Sequence, residues 1–276
     1  MKIAIVTPYP PSKITLNEYA YHMINHLNAN EKVTEIVVIT EKLEGSEKYE
    51  LESHLEKVSI LPTWGFNKLT NLFTIAKALR KCKADVVLYN IQFLSFGDSK
   101  IAAALGLLSP MVSKISGTPS VVLLHNIIET VDLEKAGISN NKILNKVFNF
   151  IGSVLTRIIL QANVVALTIP KYVDIIKEKY SVDNVVHMPH GTFEIPEIPK
   201  YEKSIKGIKQ VMTFGKFGTY KKVEKMIEAV VRVRKEMNER IEIVIAGTDN
   251  PNVKGYLDSV KAKYEHVEDL RFTGYV

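Results

Sequence analysis

Short β-branched runs punctuate the chain, and most are apolar from end to end. KIAIV from Lys2, EIVVIT from Glu35, KVSIL from Lys57, DVVLYN from Asp85, SVVLLH from Ser120, NVVALT from Asn163 and NVVHM from Asn184 predict strands. A strand without polar alternation is one buried on both faces, as in a parallel sheet. Between several of these runs, apolar residues recur at helical spacing. Tyr19, Ala20, Met23, Ile24 and Leu27 do so within Asn17–Leu27, and the same period predicts helices over Leu69–Leu79, Ile101–Leu108, Ile143–Leu160 and Val173–Tyr180. In IAAALGLLSPMVSKI, Gly106 and Pro110 predict an interrupted helix. Strands alternating with helices predict an α/β fold, with ligands bound beyond the carboxyl ends of the strands.

The pattern breaks at EIPEIPKYEKSIKG, which carries prolines and charges without apolar periodicity and reads as a linker. Strand–helix alternation then resumes with QVMTFG, a helix over Lys221–Met237, IEIVIAG from Ile241, a helix over Val253–Tyr264, and LRFTGYV. The expected organisation is a first Rossmann-like domain over residues 1–193, a linker over 194–207, and a second Rossmann-like domain over 208–276. Three strands and two helices form only half of such a domain, so the second reads as incomplete.

Charge sharpens this division. The net charge is +6, and the stretch from Lys200 onward holds 16 basic and 11 acidic residues, so most of the excess lies there. That asymmetry suits an anionic ligand held by the second domain. No aromatic-rich basic motif accompanies it, and nucleic acid is not an expected partner. The single cysteine, Cys82, excludes an internal disulfide and points to a cytoplasmic protein. The opening MKIAIVTPYPP is too short in apolar residues for a secretory signal, and no apolar run reaches transmembrane length.

The candidate chemistry lies in two places. Gly215-Lys216-Phe217-Gly218-Thr219-Tyr220-Lys221-Lys222 follows a strand and precedes a helix. A glycine there lets a phosphate approach the backbone, and Lys216 and Lys221 supply positive charge beside a helix N-terminus. It is neither a Walker loop nor a dinucleotide fingerprint, and lysines beside a turn also occur simply as a solvated face. The other place is His125, which closes an apolar strand and reads either as a ligand-facing residue or as a satisfied polar terminus. His22 and His26 stand four apart but lack the glutamate and third ligand of a zinc site.

Taken together, an α/β domain, a proline-flanked linker and a second domain opening with GKFGTYKKVEKMIEAV resemble the GT-B glycosyltransferases of the retaining family-4 type. Gly215, Lys216, Lys221, Ile227, Glu228 and Ala229 fall in register with the family pattern, Lys216 standing where an arginine is usual. The resemblance implies that Gly215, Lys216 and Lys221 hold the diphosphate of a nucleotide sugar and that His125 contacts the transferred sugar. VVHMPHGTFEIP is similar to the family's pre-linker signature, which places His190 and Gly191 among the substrate contacts. Lys13 lies in the first loop, where Ile14 and Thr15 replace the family's glycines. The implied reaction is sugar transfer to a glycan or lipid-linked acceptor, with no cofactor and no metal. The family's paired glutamates, seven residues apart, would fall beyond the equivalent of Val276. The substituted glycines keep open a non-catalytic subunit that binds an active partner, and a sugar-nucleotide epimerase is a further reading. Asn141–Leu160 reads as a helix packed in the first domain, with a peripheral contact at the inner face of a membrane as its alternative.

Overall fold

The computed structural model describes residues 1–43, 45–130, 141–191, 208–218, 221–250 and 253–274. The chain divides into two compact units, one of Met1–Thr130 and Val147–Thr192, the other of Val131–Lys146 and Phe193–Val276. The linker expected over 194–207 lies outside the described residues.

The larger unit is built on seven parallel strands: β1 (Lys2–Val6), β2 (Glu35–Glu41), β3 (Val58–Trp64), β4 (Val86–Ile91), β5 (Ser120–Leu124), β6 (Val164–Leu167) and β7 (Val185–His187). Their spatial order is β3-β2-β1-β4-β5-β6-β7, so the direction of chain progress reverses between β1 and β4. Crevices open at such reversals, at the carboxyl ends of the strands. Pro62 is accommodated in β3, an edge strand that needs no second ladder of N–H donors.

Burial follows the two-residue period of a strand. Ala4 and Val6 of β1 enter one core cluster, and Ile3 and Ile5 enter another on the opposite face. α1 (Asn17–Ala29) covers the second cluster with Ala20 and Ile24. The first is covered by α2 (Asn71–Cys82), α3 (Lys100–Leu107), α5 (Lys142–Ile159) and α6 (Pro170–Tyr180). Both faces are thus sealed, as the apolar strands require.

α4 (Ser109–Ser116) corrects the reading of Gly106 and Pro110. The helical segment does divide, but at Leu108 rather than at either residue. Pro110 sits in the first turn of α4, where its missing N–H costs nothing. Gly106 continues α3 because Phe96 packs against it; a Cβ there would lie 2.2 Å from the Phe96 ring.

α5 also differs from expectation. Leu155 and Ile159 on its inner face are buried in the larger unit, as a packed helix requires. Ile143, Leu144, Val147, Phe150, Ile151 and Val154 are exposed, with Phe150 at 71%. At 3.6 residues per turn these six share one arc, which runs into the buried arc at Leu155. A polar stripe with Lys146, Asn149, Ser153 and Arg157 borders the exposed arc on its other side, and the helix contains no acidic residue.

The smaller unit is a parallel sheet of β8 (Lys209–Phe217), β9 (Ile241–Asp249) and β10 (Leu270–Gly274), in the order β10-β9-β8. α7 (Glu224–Met237) and α8 (Tyr256–Lys263) contribute Ile227, Val230, Leu257 and Val260 to its core, against Ile243 and Ile245 of β9. Asp249 caps α8 by accepting the N–H groups of Gly255 at 2.6 Å and Leu257 at 2.8 Å. Arg234 of α7 donates to the carbonyls of Ile241 at 2.7 Å and Glu268 at 2.7 Å, fastening the helix to the start of β9 and to the loop that precedes β10.

Candidate functional site

Four adjacent strands of the larger sheet end in polar residues. Thr7 follows β1, Asn90 lies near the end of β4, His125 follows β5 and Thr168 follows β6. Val6, Tyr89, Leu124 and Leu167, which precede them, all enter the first core cluster. Strand alternation therefore turns the four polar side chains to the other face, the one covered by α1. Val6 is in register with Tyr89, and Leu124 with Leu167, so Thr7 lies beside Asn90 and His125 beside Thr168, while Asn90 is in register with Leu123, two residues before His125.

These groups are joined by hydrogen bonds. Thr7 Oγ1 donates to the Pro8 carbonyl at 3.0 Å, Asn90 Nδ2 donates to Thr7 Oγ1 at 2.9 Å, and His125 Nε2 lies 2.6 Å from Asn90 Oδ1. Tyr19 of α1 meets the His125 ring edge-on at 4.6 Å between centroids, and His190 stacks on it at 5.2 Å. His125 Nδ1 and Thr168 Oγ1 are buried with no hydrogen-bond partner among the described residues. Burial, and then the charge of nearby His190, lower the His125 pKa to about 4, so the ring is neutral at physiological pH. A neutral ring with an unpaired nitrogen at a strand end can orient a polar ligand, while a neighbouring aromatic edge gives that ligand an apolar wall.

Of the residues expected from the sequence in this unit, His125 and His190 are brought together. Gly191 shows no left-handed backbone, and a Cβ there would meet nothing within 4 Å among the described residues. Lys13 is exposed and faces Glu47 at 4.0 Å. The left-handed position of that loop falls on Leu16 (φ 82°), directly before α1, and not on Ile14 or Thr15. Thr7, Tyr19, Asn90 and Thr168 were not singled out from the sequence. For Asn90 a signal existed: DVVLYN ends an apolar strand in a residue that must find partners when buried.

The second candidate lies in the smaller unit. Gly215 of β8 and Gly247 of β9 are register partners, both with left-handed φ, at 138° and 140°. A Cβ on Gly247 would lie 1.9 Å from the Gly215 carbonyl oxygen, so the strands approach there as only glycine allows. Lys221 folds back over this place, its Nζ 3.0 Å from where a Gly215 Cβ would be. The turn is closed by the Gly218 N–H, which donates to the Lys221 carbonyl at 2.9 Å. Lys216 is exposed, on the same alternation as Met212 and Phe214. α7 begins with Glu224, whose carboxylate accepts the Tyr256 hydroxyl. An acidic group thus already serves this helix end, and the capacity to hold an anion rests on the lysines rather than on the helix amides.

No family model matches the chain, and no curated protein matches it. Solved structures do. Anabaena HepE in complex with UDP-glucose is 14% identical with a TM-score of 0.62, covering all of this chain and 69% of its own. A UDP-forming trehalose-phosphate synthase from Burkholderia xenovorans is 12% identical with a TM-score of 0.59, covering all of this chain and 73% of its own. A UDP-N-acetylglucosamine 2-epimerase from Listeria monocytogenes, so described as putative, is 13% identical with a TM-score of 0.52, covering all of this chain and 69% of its own. The shared feature is the GT-B fold, which hosts more than one chemistry.

Proposed function

We propose that this protein is a retaining, metal-independent glycosyltransferase that moves a sugar from a nucleotide diphosphate sugar to a glycan or lipid-linked acceptor in the cytoplasm. The observation that carries the reading is the ammonium of Lys221 held over the Gly215 backbone, at the carboxyl end of the first strand of the smaller unit. When the bond from the anomeric carbon to the diphosphate breaks, negative charge grows on the leaving oxygen. A fixed cation beside a bare stretch of backbone stabilises it. Lys216 adds to that field. His125 is the sugar contact that the family resemblance implies. HepE, with the same fold, binds UDP-glucose.

The test uses the purified chain with UDP-glucose, with and without a glycan acceptor, followed by UDP release and by the identity of the sugar product. Acceptor-dependent UDP release is expected. Conversion of a UDP-sugar to its epimer without acceptor would assign the epimerase reading, which the Listeria neighbour favours. Binding of UDP-glucose without either reaction would assign the non-catalytic role.

The exposed stripe of α5 supports a peripheral contact with an anionic membrane, where a lipid-linked acceptor resides. Val147, Phe150, Ile151 and Val154 would enter the acyl boundary, while Lys146 and Arg157 along the polar edge meet lipid phosphates. No described helix is long and apolar enough to cross a membrane. Cosedimentation should occur with phosphatidylglycerol vesicles and weaken at least tenfold in Phe150→Asp. Equal sedimentation of the two proteins would remove α5 from any membrane role.

A further inference from the structure

We propose that Thr7 and Asn90 form a one-way hydrogen-bond relay that fixes the tautomer of His125 and makes its Nδ1 the acceptor for a hydroxyl of the bound ligand. The direction of the relay follows from its first member. A backbone carbonyl has no proton, so the Thr7 hydroxyl must donate to Pro8 at 3.0 Å. Its one proton is then spent, and toward Asn90 it can only accept. That requires the amide nitrogen of Asn90 to face Thr7, at 2.9 Å. The amide oxygen is thereby turned to His125 Nε2, at 2.6 Å, and an amide oxygen also accepts only. The proton of the neutral ring therefore sits on Nε2, and Nδ1 carries a lone pair.

That lone pair is buried and has no partner among the described residues, and the same holds for the Thr168 hydroxyl on the next strand. Buried polar atoms are nearly always paired, so an unpaired acceptor at a strand end marks a place for a ligand that donates. Tyr19 and His190 wall the ring, which suits a ligand with an apolar edge and a hydroxyl. Thr7 and Asn90 are positioning residues, since they act through His125. That the ligand hydroxyl belongs to a transferred sugar rests on the glycosyltransferase reading; the tautomer does not.

The two parts are tested separately on the full chain. Nitrogen-15 NMR of the histidine ring at pH 7 should show His125 with a protonated Nε2 and an unprotonated Nδ1. In Thr7→Val the amide of Asn90 is free to turn over, and the Nδ1-protonated form should appear. Asn90→Asp, which keeps an acceptor at Nε2, should retain the original tautomer. A wild-type proton on Nδ1, or identical spectra for wild type and a folded Thr7→Val, overturns the relay. The ligand part uses UDP-glucose analogues in which one hydroxyl at a time is replaced by fluorine, which accepts but does not donate. One analogue should lose at least tenfold in affinity in the wild type and less than twofold in His125→Ala. Uniform affinities across the series would overturn the acceptor role of Nδ1. If UDP-glucose itself fails to bind, the sugar-transfer reading falls while the spectra still decide the relay.

Discussion

Lys221→Ala is expected to lower turnover of a nucleotide sugar at least tenfold without changing thermal stability. Lys221 is exposed, and its ammonium lies over Gly215 rather than in the core cluster of the smaller unit, so its removal leaves no cavity. The loss concerns charge. Removing one preorganised group that stabilises a developing anion costs about 3–4 kcal/mol in well-studied cases, or a hundredfold or more. Lys216 and Lys222 are close to it in sequence and add positive charge to the same segment, which makes tenfold the safer floor. Lys221→Arg keeps the charge and should recover most of the rate. An unchanged rate in a steady-state assay of Lys221→Ala would reject the phosphate role, whatever the fold.

Gly247→Ala should have the largest effect on stability. Two costs combine at this position. A φ of 140° is a region that residues with a Cβ rarely occupy, and the added atom would lie 1.9 Å from the Gly215 carbonyl oxygen. Neither strand can retreat without breaking the ladder from Lys209↔Ile241 to Phe217↔Asp249. Backbone strain of this kind costs roughly 1–3 kcal/mol, and the overlap with main chain adds to it. A destabilisation above about 3 kcal/mol is expected from denaturant melts, with lost hydrogen-exchange protection confined to β8, β9, α7 and α8. Gly255→Ala is the control. Its φ of 79° is also left-handed, but its Cβ would meet nothing within 4 Å among the described residues, so it should cost only about 1 kcal/mol. Equal effects at the two positions would show that conformation alone, and not the close approach of the strands, governs Gly247.

What the sequence made legible follows from how strongly each feature depends on neighbours in the chain. Strands such as KIAIV and EIVVIT were readable because a parallel strand sealed on both faces leaves a continuous apolar run. α4 was missed because Gly106 and Pro110 read as breakers. Gly106 instead answers to Phe96, ten positions earlier and outside the helix, and Pro110 fits a first turn whose position depends on Leu108. For α5, periodicity revealed apolar residues nearly all round, but not which arc meets the sheet. Only packing of Leu155 and Ile159 decides that, and it leaves Phe150 outside. His125 could be proposed from its place at a strand end. Its partners could not, since Thr7 and Asn90 are 83 positions apart and Asn90 and His125 are 35 apart. Only the strand order sets them side by side. Gly215 and Lys221 were legible as a local motif, whereas the demand on Gly247 arises from register across two strands.

The relay at His125 begins in the main chain, and this divides its genetics unevenly. Any amino acid at position 8 would present the same carbonyl, so the identity of Pro8 carries no information about which ring nitrogen holds the proton. Only two codons, those for Thr7 and Asn90, can reverse the polarity that the third residue shows to a ligand. A mutational scan read out by ligand preference should therefore register this arrangement at two positions distant in the gene and be silent at the one where it is anchored.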